Sequence, residues 1–291
     1  MVQVELVLDA KATLGEGPSW DADKGMLYWV DILESRVHSF HPGEGTNHTY
    51  DIGQYAGAVV PDRKNGFVLA AINGFFRYNP EGNQLEPISD PEAGMPDNRF
   101  NDGKCDAKGR FWAGTMGMMD QNAAGALYRL DPDLKVEQKM TGITCSNGIT
   151  WSPDHTKMYY IDSPTRKVME YEFDLITGEL GASRIAVEIP EGEGVPDGMT
   201  SDVEGMIWVA QWDGYCVSRY NPHTGERLLK VDIPASRVTS CVFGGENMDE
   251  LYITSARTGL SEEELQRYPL SGGIFKLRPG VQGLPSYPFG G

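Results

Sequence analysis

Phe100-Asn101-Asp102-Gly103-Lys104, Ser146-Asn147-Gly148-Ile149 and Pro196-Asp197-Gly198-Met199 are the stretches on which the fold of this chain turns. Each sets an amide or an acid beside a glycine, and they recur at nearly equal intervals of about 45–50 residues. A fourth stretch of the same kind, Gly15-Glu16-Gly17-Pro18, lies upstream. Taken singly, Asn-Gly and Asp-Gly are the strongest hairpin-turn dipeptides, so one pair says only that the chain turns. Glu16 is odder, because a turn rarely needs glutamate and the flanking glycines signal close backbone approach. Taken together, the interval is that of one four-stranded blade of a β-propeller.

Working outward, each motif leads into an apolar run. Aromatic and β-branched runs such as 26–32, 66–71, 110–114, 157–162, 206–211 and 250–255 follow turn clusters. Those turns include 61–66, Asp106-Ala-Lys-Gly and Asp202-Val-Glu-Gly. A third run then ends in an Asn-Pro or Asp-Pro turn, as in Phe76-Arg-Tyr-Asn-Pro, Leu127-Tyr-Arg-Leu-Asp-Pro and Ser218-Arg-Tyr-Asn-Pro. About six such units of roughly 48 residues fill the chain. The expected fold is all-β: a six-bladed β-propeller, four antiparallel strands per blade, spanning 1–291 as a single domain. Radial repetition leaves only short sheet edges. The opening run Val2–Leu8 is expected to pair with the final unit and close the ring. One helix is predicted, from the capping box Ser261…Glu264 to a stop at Pro269, as a surface insertion or a flap over one mouth.

The 291 residues are 40% hydrophobic with six Trp, enough for a substantial core, and carry a net charge of −17. Such a surface repels phosphate backbones and anionic lipid, so neither nucleic acid nor membrane is an expected partner. No apolar run approaches the roughly 20 residues of a membrane span, and Met1–Leu6 lacks the pattern of a signal peptide. Cys105, Cys145, Cys216 and Cys241 are scattered without Cys-x-x-Cys spacing, which fits reduced thiols in a cytoplasmic protein. A monomer or weak dimer is expected.

Equivalent positions in a radial repeat face one another at the axis. The carboxylates and amides of the four motifs would therefore converge, and their mutual repulsion would be relieved by a divalent cation. The five histidines form neither His-x-His nor His-Glu-x-x-His, and no Gly-x-Ser-x-Gly elbow or phosphate-cradling loop is present. Oxygen donors favour Ca²⁺, Mg²⁺ or Mn²⁺ and tolerate Zn²⁺ or Fe²⁺. Cys145, two residues before Asn147, has no evident base partner to make it a nucleophile.

At these same residues the chain resembles the family of senescence marker protein (regucalcin), gluconolactonase and luciferin-regenerating enzyme. The resemblance rests on Leu14-Gly-Glu-Gly-Pro-Ser-Trp, Asn98-Arg-Phe-Asn-Asp-Gly-Lys, Gly114-Thr-Met, Ser146-Asn-Gly-Ile and Pro196-Asp-Gly-Met, in the family's order and over nearly the whole length. Ala256-Arg-Thr-Gly-Leu-Ser and Gly272-Gly-Ile-Phe are similar to the bacterial sugar-lactonase branch. The resemblance implies a six-bladed propeller with one divalent metal ion at its axis, held by Glu16, Asn147 and Asp197. It also implies substrate contacts from Arg99 and Asn101. Some members carry a substrate-binding Glu after Gly-Thr-Met; here Met119 stands at that spacing, and Asp120 beside it is the candidate replacement.

The expected activity is hydrolysis of an aldonolactone to the aldonic acid. The metal would polarise the carbonyl, Asp197 would act as base on water, and Arg99, Asn101 and Asp120 would bind the sugar, with Trp212 as an apolar wall. Two rival readings are a non-catalytic calcium-binding propeller and a promiscuous hydrolase of lactones or phosphotriesters.

Overall fold

The computed structural model describes residues 2–119 and 123–290. Their regular structure comprises twenty-four strands, one α-helix and one 3-10 turn. Residues 15–51, 56–89, 98–143 and 146–188 each form a four-stranded antiparallel sheet in chain order. Residues 195–232 form a fifth such unit. A sixth takes Arg237–Gly244, Glu250–Ala256 and Ile274–Leu277 from the end of the chain and Val4–Leu8 from its beginning. The last two units are joined through a single pairing, Trp212 with Arg237.

Burial grades outward within a unit. The first strand is packed on both faces, as in Ala56–Pro61 and Ser146–Trp151, which are buried throughout. The fourth is polar and largely exposed, as in Thr46–Asp51. Each first strand packs on the first strand of the next unit, and Arg237–Gly244 packs back on Gly15–Asp21. The arrangement is a closed, β-propeller-like ring whose first strands surround the axis.

The chain ends shape the two sides of this ring. Val4, Glu5 and Leu6 pair with Leu277, Lys276 and Phe275, so the N-terminal run covers the exposed edge of the last unit, as expected. Residues past Leu277 run under the ring: Leu284 N donates to Ser201 O and Phe289 N donates to Pro61 O. Phe289 is fully buried against the core that holds Phe111 and Phe75.

Buried acids fasten the first turn of several units. Asp106 Oδ2 accepts from Arg110 Nε at 2.6 Å and Trp112 Nε1 at 2.9 Å. Asp202 repeats the device with Arg219 Nε at 2.8 Å and Trp208 Nε1 at 2.9 Å. The helix Glu262–Arg267 forms with the capping box anticipated at Ser261 and Glu264. None of its residues is buried. No helix among the described residues is long and apolar enough to cross a membrane.

Candidate active site

Asn147-Gly148 and Asp197-Gly198, expected from their dipeptides to turn the chain ahead of a strand, lie instead inside the first strands Ser146–Trp151 and Val195–Ser201. The pairing register slips there, between Ser146 and Ile149 and between Pro196 and Met199. It slips likewise between Glu16 and Ser19 and between Phe100 and Gly103. These are β-bulges, which re-aim a side chain out of the regular pleat. Glycine is required because the first strands crowd one another: a Cβ on Gly148 would sit 2.7 Å from Asp197 O, and one on Gly198 would sit 2.7 Å from Ser240 Cα.

All four bulges lie near the N-terminal ends of first strands, at the end of the ring opposite the Asp106 and Asp202 turns. A cavity of about 480 Å³ opens there, and Glu16, Arg99, Asn101, Asn147 and Asp197 all line it. Cys145 and Trp212 line it too. Asp120 lies outside the described residues, and no residue of the 262–267 helix borders the cavity. A larger hollow of about 580 Å³ around Trp20, Lys24 and Arg63, at the turn end, gathers no comparable group of donors.

A hydrogen-bond chain sets the two amides. Ser163 Oγ donates to Pro196 O at 2.7 Å, so it accepts from Asn147 Nδ2 at 2.8 Å. The Asn147 oxygen is thereby turned the other way, where it accepts from Asn101 Nδ2 at 3.1 Å and keeps a free lone pair. Asn101 Nδ2 also donates to Ser146 O at 2.7 Å, and Asn101 Oδ1 accepts from an Arg99 guanidinium N–H at 2.8 Å. Both Asn101 N–H groups are thus engaged within the protein, which makes this residue an orienter of Asn147 that can still accept from a ligand. Ser163 was not singled out from sequence. Its only mark there is a Ser-Pro turn.

The charges are buried and mutually opposed. Burial, and then the negative charge of Asp102, push the Glu16 carboxyl up to about 8, although Gly17 N donates to it at 2.9 Å. Burial first and Glu16 second raise Asp197 well above the usual carboxylate range. Asp102 is raised by burial too, opposed by the nearby Lys104 ammonium, which donates to Met199 O at 2.7 Å. Burial lowers the Arg99 guanidinium, and the surrounding acids partly offset this. The Cys145 thiol is pushed up to about 12 by burial and by Asp197, so it stays protonated and is no nucleophile near neutral pH.

Two buried carboxyls whose proton affinity is raised by burial and by a neighbouring carboxylate, Asp102 for Glu16 and Glu16 for Asp197, beside an amide oxygen with a spare lone pair, suit a hard divalent cation. Among the described residues no group of three or more His, Cys, Asp or Glu side chains has metal-holding geometry; the candidate set depends on the Asn147 amide as its third donor. The cation-free chain should reveal this in its pH dependence. With Glu16 raised from 4.5 to about 8, the folded state binds more protons than the unfolded state between those values. That contribution to stability is present at low pH and is lost as pH rises through the folded value, by up to about 1.4 kcal/mol per pH unit for one group. The melting temperature of chelated protein is therefore expected to fall from about pH 5 to about pH 8, and a divalent cation that binds these donors should raise it most at the upper end. A flat profile in chelator would contradict the burial of these acids.

Residues 14–257 match the model of the SMP-30/gluconolactonase/LRE-like region. A Bacillus subtilis protein named "Putative sugar lactone lactonase YvrE" is 36% identical over 98% of each chain. Regucalcin of Xenopus laevis is 37% identical over 100% of this chain and 99% of its own. Among solved structures, a luciferin-regenerating enzyme superposes with a TM-score of 0.92 at 33% identity, covering 98% of both chains. A regucalcin from Agrobacterium tumefaciens, described as a calcium-binding protein, gives 0.94 at 28% identity over 99% of this chain and 97% of that one. With the family's pattern matched over most of its length and the ring architecture in place, the chain belongs to the SMP-30/gluconolactonase/LRE-like family.

Proposed function

We propose that this chain, as one six-bladed propeller, is a metal-dependent lactonase that opens a sugar aldonolactone to its aldonic acid. The observation carrying the reading is that Glu16, Asn147 and Asp197, from the first strands of three different units, border one cavity together with Arg99. Glu16, Asn147 and Asp197 would hold one divalent cation. When bound, that cation supplies a Lewis acid for the ester carbonyl and a positive charge against the two carboxylates.

The residues of the chain do the rest. Asp197 accepts a proton from the water that attacks the carbonyl carbon. As the ring C–O bond breaks, Asp197 returns the proton to the departing ring oxygen. Arg99, with one nitrogen committed to Phe100 O and Asn101, offers its remaining N–H groups to substrate oxygens. Asn101 holds the Asn147 amide in place and accepts from a substrate hydroxyl. The Bacillus relative's name supports the lactone as substrate.

The test is acid release from a panel of aldonolactones, read with a pH indicator above the spontaneous rate. Activity is expected to vanish with a chelator and to return with one or more of Ca²⁺, Mg²⁺, Mn²⁺, Zn²⁺ or Fe²⁺. The calcium-binding description of the Agrobacterium relative favours a second reading, cation binding without turnover. Tight metal binding with no acid release from any lactone would select it.

A further inference from the structure

Above its polar floor the cavity is apolar: Leu14, Met116, Val195 and Trp212 line its walls. Met116 pairs with Arg99 across the ladder, and the chain beyond it is held where Met118 N bonds to Asp97 O at 2.8 Å. The floor has few donors to offer a ligand, because Asn101, Asn147 and Ser163 direct theirs at each other and at backbone carbonyls. A sugar ring dense in hydroxyls would bury some of them with, among the described residues, only Arg99 to donate to them and the Asn101 oxygen to accept from them, and an unmatched buried hydroxyl is costly.

Trp212 is built as a platform. The Arg237 guanidinium lies 4.9 Å from its ring centroid. Arg237 Nε donates to Asp213 Oδ1 at 3.2 Å, and its NH1 donates to Thr258 O. Trp212 and Arg237 are also the one backbone pairing between the fifth and sixth units. The indole is therefore clamped at a seam of the ring while it borders the cavity.

Resting on the lactonase reading above, we propose that the site selects sugar lactones deoxygenated on the part that meets Trp212, such as 6-deoxyaldonolactones, over their fully hydroxylated counterparts. Trp212 is the contacting surface, and Arg237 is a positioning residue that holds it.

The experiment compares matched pairs of aldono-1,4-lactones with and without the terminal hydroxyl, in metal-loaded protein. In at least one pair, kcat/KM is expected to favour the deoxy member by about 10- to 100-fold. Trp212→Ala should bring that ratio near one, chiefly by raising KM for the deoxy lactone, while Trp212→Phe keeps most of it. Arg237→Gln should raise the same KM by a smaller factor with kcat little changed, and Arg237→Lys should not rescue it, because a lysine cannot stack its charge flat on an indole. If turnover is seen but every pair favours the hydroxylated member, the selectivity proposal falls and the lactonase reading stands. A deoxy preference that survives both Trp212→Ala and Arg237→Gln also overturns it. Should Arg237→Gln fail to fold, the Trp212→Ala and Trp212→Phe pair decides alone. If no lactone of any kind is hydrolysed, the lactonase reading itself has failed.

Discussion

Replacing Asp197 with asparagine is expected to lower kcat by about 10²- to 10⁴-fold while a divalent cation stays bound. Asparagine keeps an oxygen donor and nearly the same shape in the bulge between Pro196 and Met199. It removes the one property that general-base catalysis needs, a lone pair that can carry away a proton. Asp197→Ala goes further and deletes the donor, so it should lose cation affinity as well as turnover. Metal content per chain, measured beside kcat, separates the two roles. An Asp197→Asn protein with full metal and full activity would end the base assignment. Glu16→Gln is the control: with Glu16 only a donor, its loss should appear mainly as a higher metal requirement.

Asp202→Ala is expected to cost about 3–5 kcal/mol of folding stability, because it breaks a buried charge pair from one side. Asp202 is fully buried. Its Oδ2 accepts from Trp208 Nε1 and Arg219 Nε, and its Oδ1 accepts from the backbone N–H of Glu204 and Met206 at 3.0 Å each. Alanine strands all four donors, two of them on side chains that cannot easily turn to water. A fall in melting temperature of roughly 5–8 °C is the expected readout. Because this turn lies at the opposite end of its strand from Asp197, kcat of the folded fraction should hold. Unchanged stability would mean that water replaces the carboxylate without penalty.

Much of the ring was legible because the units are alike. Aromatic second strands such as Met26–Asp31 and Ile207–Trp212 carry a strong signal, being buried in the body of the sheets. The outermost strands Thr46–Asp51, Gln84–Ser89 and Arg227–Asp232 carry almost none: their side chains meet water, and only pairing with the third strand makes them extended. The capping box at Ser261 is local chemistry and could be read directly, whereas the place of its helix relative to the cavity could not.

The site divides in the same way. Equal spacing of Asn101, Asn147 and Asp197 already implies equivalent positions in successive units, so their convergence follows once the ring closes. What the linear order could not express is everything that depends on the neighbouring unit's backbone. Asn-Gly and Asp-Gly read as turns because isolated dipeptides favour turns; they become bulges because adjacent first strands press within 2.7 Å of where a Cβ would be. Ser163 reaches Pro196 O across a unit boundary while accepting from Asn147 of its own unit, and that pair of contacts decides which way the amide oxygen faces. The raised proton affinities of Glu16 and Asp197 likewise come from burial and from carboxylates of other units, Asp102 for Glu16 and Glu16 for Asp197. Periodic patterning is a property of short stretches and survives in the sequence, so the architecture and the donor types were determined there. Orientation, desolvation and the apolar wall around Trp212 arise only when segments distant in sequence share one dry space, and those the tertiary structure alone decided.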